Sequence, residues 1–179
     1  MTKLEKGLVQ VYTGDGKGKT SAAFGLVLRA IGRDLNAYVI QFIKGGFDYG
    51  ELHVVDKLPN VTLRAFGRGK FIINKKPSEE DVSLAEEALV LAESVVKSGD
   101  FDIIVLDEVN VALSLGLIGL NRVLALIKNK PERVELILTG RNAPKAIVDI
   151  ADLVTEMREV KHPFRKGIAA RKGIEFYQL

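Results

Sequence analysis

Residues 13–20 read Thr-Gly-Asp-Gly-Lys-Gly-Lys-Thr, directly after the apolar run LVQVYT at 8–13. Glycines at alternate positions 14, 16 and 18 let the chain turn its N–H groups inward, and inward amides make a nest for phosphate oxygens. Lys19 adds a point charge, and the Thr20 hydroxyl stands where a phosphate-bound Mg2+ is ligated. The strict phosphate-loop (Walker A) pattern is G-x-x-x-x-G-K followed by Ser or Thr. It fails here only at its first position, which is Thr13.

A second constellation lies at IIVLDE, where four apolar residues end in Asp107 and Glu108. In open α/β sheets ligands bind outside the carboxyl ends of the strands, so a carboxylate there can hold Mg2+ directly or through water. Neighbouring residues of an extended strand point to opposite sides. Only one of the two acids is then placed for direct ligation, unless the chain bends between them. Glu108 is alternatively the base of a hydrolysing ATPase; the sequence leaves base and metal ligand open.

These groups need a scaffold, and the hydrophobic pattern supplies one. Strands are expected at 8–13, 37–43, 61–66, 101–108, 134–140 and 153–160. Helical spacing runs from Thr20 to about Arg33, with Ala23, Leu26, Val27, Ala30 and Ile31 on one face. The amino end of that helix, near Lys19, adds the positive end of its dipole to the loop. Residues 50–57 read as one or two helical turns. Ser78 and Asp81 form a capping-box pattern that opens a helix to about Lys97, with Val82, Ala85, Leu89, Ala92 and Val96 on its buried side. Further helices are expected at 109–115, at 119–129 and from Pro144 to about Ala151. Residues 67–78 read as a loop over a site or a mobile surface loop. The basic tail ends in an expected edge strand. Apolar strands alternating with helices define an α/β domain with a mostly parallel sheet covered on both faces. No linker or repeat interrupts it, so residues 1–179 are read as one domain.

Composition narrows the function classes. The chain has no cysteine, which excludes disulfides, thiolate nucleophiles and Cys-ligated metal sites. Hydrophobic residues make up 47% and charged residues 27%, the balance of a globular protein. A net charge of +3 is too small to argue for nucleic acid. No apolar run approaches the ~18 residues of a membrane span and no signal-peptide core follows the charged start, so the expectation is a cytoplasmic protein with no membrane and no nucleic-acid partner.

YTGDGKGKTSAAFG, YVIQFIKG, IIVLDEVN, LILTGRNAP, ADLVTEM, VKHPF and KGIEF occur in order between about residues 8 and 177. Together they resemble the P-loop class of corrinoid adenosyltransferase (ATP:cob(I)alamin adenosyltransferase). That resemblance implies a three-layer, RecA-like P-loop NTPase fold and a homodimer. It implies transfer of the 5′-deoxyadenosyl group of ATP to the Co(I) of a reduced corrinoid, with triphosphate leaving intact. An electron-donating reductase is an open partner. The implied triphosphate site is Gly14, Asp15, Gly16, Lys17, Gly18, Lys19, Thr20 and Ser21, with Arg141 of TGR near the phosphates. Thr20 with Glu108 would hold Mg2+, and Asp107 stays a candidate ligand beside it. Family members carry a GFTW-like aromatic pair where the corrinoid meets the protein. Here the matching region is GRGKFIINKKP, the chain has no tryptophan, and Phe71 is the aromatic that remains.

The implied chemistry suits what the chain lacks. Co(I) is itself a strong nucleophile, so no protein base has to activate it. The protein has to position two reactants and stabilise charge on the departing triphosphate, a task for Lys19 and the loop amides. Two other readings compete. A small-molecule kinase or ATPase needs a base or water-positioning group, for which Glu108 is the candidate. A nucleotide-dependent binding module on nucleic acid lacks the expected interleaving of aromatic and basic residues. His162 in VKHPF is read as a structural hydrogen bond in a turn, His53 as a surface residue, and Lys70, Lys75 and Lys76 as a solvated face. Asp15, Lys17 and Glu51 are each either a solvated charge or a site group.

Overall fold

Six five- or four-residue strands build the centre of the molecule, seen in a computed structural model that describes residues 4–70 and 76–175. They are β1 (Val9–Thr13), β2 (Ala37–Gln41), β3 (Val61–Ala65), β4 (Ile103–Asp107), β5 (Glu135–Thr139) and β6 (Leu153–Glu156). The sheet order is β3-β2-β4-β5-β1-β6, and every pairing is parallel. Parallel neighbours require crossover connections. These contain α1 (Lys19–Ile31), α2 (Leu52–Val55), α3 (Glu79–Ser98), α4 (Val109–Ser114), α5 (Leu120–Lys128) and α6 (Lys145–Val148). A 3-10 turn, Pro163–Lys166, follows β6.

The period of two along each strand sorts the core into two layers. Ala37, Val39, Ile103, Val105 and Ile137 pack against Ala23, Val27 and Ala30 of α1. Tyr38, Ile40, Ile104, Leu106, Leu136 and Leu138 join the opposite cluster, with α3 through Ala85, Leu89, Ala92 and Val96. Burial on both faces is why β2 and β4 are buried at all five positions and read as unbroken apolar runs. The expected α/β, three-layer P-loop architecture is therefore the observed one.

Several expectations change in detail. Val82 is 37% exposed, not on the buried side of α3. It sits in the first turn, ahead of the core, whose α3 contribution begins at Ala85. β6 stops at Glu156 because its partner residue, Thr13, is the last of β1 before the chain turns into the glycine loop. The tail forms a turn over 172–175, and no strand is present there among the described residues. Phe71 and Lys75 lie outside the described residues. No described helix is long and apolar enough to cross a membrane.

Two loops at the carboxyl edge of the sheet are joined by close backbone contact. The Gly45 N–H donates to Phe66 O at 2.7 Å, and the Gly69 N–H donates to Gly45 O at 2.6 Å. A Cβ on Gly45 would lie 2.6 Å from the Gly67 backbone, so only glycine permits this approach. The second loop is held to α3 by Arg68, whose guanidinium donates to both oxygens of Asp81 at 2.7 and 2.8 Å. Asp81 also completes the expected capping box: its N–H donates to Ser78 Oγ at 3.2 Å, and its carboxylate accepts from the Ser78 N–H at 2.9 Å. Arg68 and the cap together draw charge to Asp81, and the Arg68 hydrogen bond above all holds its carboxyl below the usual range.

Candidate active site

An all-parallel sheet brings all its carboxyl ends to one edge, and register decides which side chains meet there. Gln41 is the register partner of Asp107. Leu106 pairs with Leu138, so the next residues, Asp107 and Thr139, stand side by side. Asp107 is fully buried and accepts four hydrogen bonds. Thr139 Oγ1 (2.6 Å) and Thr20 Oγ1 (2.9 Å) donate to one oxygen. Gln41 Nε2 (3.1 Å) and Lys44 Nζ (2.7 Å) donate to the other. Burial pushes the Asp107 carboxyl up, but the Lys44 charge and these hydrogen bonds outweigh it and hold the group below its ordinary value. In the same way burial pulls Lys44 down, while Asp107 and Glu108 outweigh it and hold the ammonium above its ordinary value.

The chain does bend at the next residue. Glu108 has φ 62, in the left-handed region that a non-glycine residue seldom enters. Its N–H donates to Thr139 Oγ1 at 2.9 Å. Its side chain lines the cleft, and its carboxylate accepts no hydrogen bond among the described residues. Burial raises the Glu108 carboxyl, Asp107 adds to the rise, and Lys44, Lys19 and Arg141 oppose it.

The glycine loop packs against the segment after β6. Gly16 N–H donates to Met157 O at 2.6 Å. Gly14 has φ 90, and a Cβ there would lie 2.5 Å from Met157 O. Gly14→Ala thus combines a disfavoured φ with a backbone clash, strain of about 1–3 kcal/mol. We expect ATP affinity to fall about tenfold or more, measured by equilibrium titration; an unchanged dissociation constant would refute this account of the loop. Lys19 is 8% exposed, and its Nζ donates to Gly14 O at 2.7 Å and Gly16 O at 2.8 Å. Burial pulls its pKa down, with Glu108 the largest opposing influence. Gly18 caps α1 without a side-chain hydrogen bond, so the first amides of the helix are left for an anion.

Thr13 gains a role that sequence reasoning could not assign. Its Oγ1 accepts from the Ala143 N–H at 3.3 Å, tying the start of the glycine loop to the loop that carries Arg141. Arg141 Nη2 donates to Asp15 O at 3.3 Å and lines the same cleft. Lys17 pairs with Glu175 of the tail at 3.0 Å, and Ser21 is an exposed lining residue. His162 Nδ1 accepts from the Phe164 N–H at 3.2 Å, a local cap, while the ring also lines the cleft. His53 is exposed and pairs with Asp48. Glu51 accepts from Gln41 Nε2 at 3.3 Å. Lys70 and Lys76 are exposed.

Lys44, Gln41 and Thr139 were not singled out from the sequence. Two signals could have found them: they fall within the motifs YVIQFIKG and LILTGRNAP, and each lies at or just beyond the carboxyl end of a buried strand, where such sheets bind ligands.

Residues 15–21, Lys44, Glu51, Glu108, Arg141 and His162 line one cleft of about 990 Å3. Its polar lining includes the glycine loop, Lys44, Glu108 and Arg141, and its apolar and aromatic lining includes Phe24, Leu28, Phe47, Tyr49 and Val54. A divalent cation fits the polar lining only with help from a ligand. No group of three or more His, Cys, Asp or Glu that could hold a metal is present among the described residues. Thr20 and Glu108 offer one hydroxyl and one carboxylate, the few-ligand set that Mg2+ completes with phosphate oxygens and water. Asp107, with both oxygens engaged, stands behind Thr20.

Fold and site together define a P-loop nucleotide-binding α/β protein. Its family follows from comparison with known proteins. The model for the family described as ATP:corrinoid adenosyltransferase BtuR/CobO/CobP matches residues 5–176, and the chain belongs to that family. A corrinoid adenosyltransferase of Pseudomonas aeruginosa is 41% identical over 96% of this chain and 85% of its own. One of Sinorhizobium sp is 39% identical over 96% of this chain and 81% of its own, and one of Escherichia coli K12 is 33% identical over 96% and 87%. Among solved structures, a KaiC-like protein of Pyrococcus horikoshii aligns with a TM-score of 0.49 at 16% identity, covering 84% of this chain and 72% of that one. The chain is thus an ATP:corrinoid adenosyltransferase by family, an enzyme that moves an adenosyl group from ATP to a corrinoid.

Proposed function

We infer that the cleft holds the triphosphate of ATP on residues 14–21 and Arg141, and presents C5′ of the ribose to the cobalt of a reduced corrinoid. The observation that carries this reading is the continuity of phosphate loop and apolar wall in one cleft at the upper end of the usual ligand-pocket range, about 300–1,000 Å3. Leu28 and Val54 support it: they are 60% and 48% exposed, and both line that cleft. A partly apolar second substrate accounts for exposed apolar side chains beside a phosphate site.

Cobalt(I) supplies both electrons of the new Co–C5′ bond. The C5′–O bond breaks with its pair to oxygen, so negative charge grows on the leaving triphosphate. The loop amides, the first turn of α1, Lys19 and Arg141 are placed to stabilise that charge. Mg2+, when bound by Thr20 Oγ1 and the Glu108 carboxylate, would screen the phosphate oxygens. Asp107 orients the Thr20 hydroxyl by accepting its hydrogen bond at 2.9 Å.

Residues 1–179 act as one domain in this reading, which the single sheet supports. The working form is a cytoplasmic homodimer supplied with reduced cobalt by a reductase. All four residues of β6 are exposed, Leu153 and Val154 among them, which supports a protein partner at that edge.

The test mixes protein, MgATP and cob(I)alamin without oxygen and follows both the cobalt spectrum and the phosphate products. Intact triphosphate, formed together with a light-sensitive cobalt–carbon product, is expected. ADP and phosphate released whether or not corrinoid is present would instead make Glu108 a hydrolytic base and overturn the reading.

A further inference from the structure

Lys44 is the buried cation that the phosphate chemistry has not used. Its side chain is 12% exposed, and its Nζ sits 2.7 Å from Asp107 Oδ2 and 2.9 Å from Thr20 Oγ1. The Thr20 hydroxyl therefore donates to Asp107 and accepts from Lys44 at once. This is the seat at which a nucleotide-bound metal would meet Thr20. A metal 2.0–2.1 Å from Thr20 Oγ1, the usual Mg2+–oxygen distance, would share its immediate surroundings with the ammonium. Two cations so close in a buried pocket repel strongly. The ammonium also has somewhere to go. Its four-carbon stem is flexible, and Nζ already lies 5.3 Å from the centre of the Tyr49 ring on the cleft wall, within cation–π range.

We propose that Lys44 and the divalent cation of the nucleotide are alternative occupants of one seat. The ammonium neutralises Asp107 and the incoming phosphates until metal arrives, and then withdraws toward Tyr49. This rests on the reading that Thr20 ligates a metal carried by ATP. It assigns to Lys44 a positioning role distinct from that of Lys19, whose Nζ lies on the loop carbonyls instead.

The test is ATP binding by calorimetry, with EDTA and with Mg2+, in wild type and Lys44→Met. Loss of the stand-in cation is expected to weaken metal-free ATP binding about tenfold or more, the worth of a charge-assisted hydrogen bond. Binding with Mg2+ should stay within about threefold of wild type, because the metal then meets no competitor. The ratio of the EDTA to the Mg2+ dissociation constant therefore rises. Lys44→Met leaves Asp107 buried and unpaired, so the same ratio is compared between Asp107→Asn and the double variant Asp107→Asn/Lys44→Met, which holds neither charge. The expected rise is the same. A ratio of one in every protein, variants included, overturns the metal reading and the exchange with it. A wild-type ratio above one that loss of Lys44 leaves unchanged overturns the exchange alone. So does an equal loss in both buffers, which would make Lys44 an ordinary phosphate contact.

Discussion

Lys19→Ala is expected to lower kcat/KM for adenosyl transfer about a hundredfold to a thousandfold, the usual loss when one preorganised partner of a developing negative charge is removed. Lys19 is a buried ammonium at the phosphate loop, with Glu108 and Arg141 the largest electrostatic influences on it after burial itself. In-line displacement at C5′ moves an electron pair onto the triphosphate, so a charge at the loop counts for more in the transition state than in bound ATP. Most of the loss should accordingly fall in kcat, with a smaller rise in the KM for ATP. The variant also removes two hydrogen bonds to the Gly14 and Gly16 carbonyls. Thermal melting separates the two effects, because a folded variant that melts near wild type yet transfers poorly has lost chemistry and not the loop. Steady-state transfer near wild type would remove Lys19 from the mechanism.

Asp107→Asn is expected to cost about 3–5 kcal/mol of folding stability, because it leaves the Lys44 ammonium buried without its counter-charge. The four donors around Asp107 come from α1, β2, the loop after β2, and β5, so one side chain ties together the whole carboxyl edge of the sheet. Urea unfolding at neutral pH measures the cost, and a change under about 1 kcal/mol would contradict it. The pH dependence gives a second check. Asp107 is held below its ordinary value in the folded protein, so its contribution is full above the unfolded carboxylate pKa of about 3.9 and is lost as pH falls through the lower folded value. The stability gap between wild type and Asp107→Asn should therefore be widest near neutrality and close in acid.

Sheet, loop and helix at the centre of this site were legible because each is a local signal. The apolar runs at β2 and β4 announce strands buried on both faces, and alternate glycines before Lys19 announce an inward-turned backbone. Ser78 and Asp81 announce the start of α3 three residues apart. Less legible were the ends of elements. β6 stops where β1 turns away, a limit set by a partner more than a hundred residues distant in the chain. Val82 fits the helical period of α3 yet lies ahead of the core, since periodicity describes a face and not how far the sheet beneath it extends.

What the sequence by itself determined is the chemistry available: a phosphate nest, a lysine and a hydroxyl at its rim, two carboxylates at a strand end, and the family motifs that make this an adenosyltransferase. What only the tertiary structure decided is the division of labour among them. Asp107 and Glu108 are adjacent and chemically alike, but a left-handed bend at Glu108 leaves one sealed under four hydrogen bonds and the other on the cleft. Thr13 looked like a defect in a motif and proves to hold the Arg141 loop through Ala143, 130 residues away. Lys44 joined the site only when β2 came to lie beside β4. The physical reason is common to all three. Residue type fixes which charges and donors exist, but desolvation and pairing set what each does, and both depend on neighbours that strand register, not chain order, brings within reach.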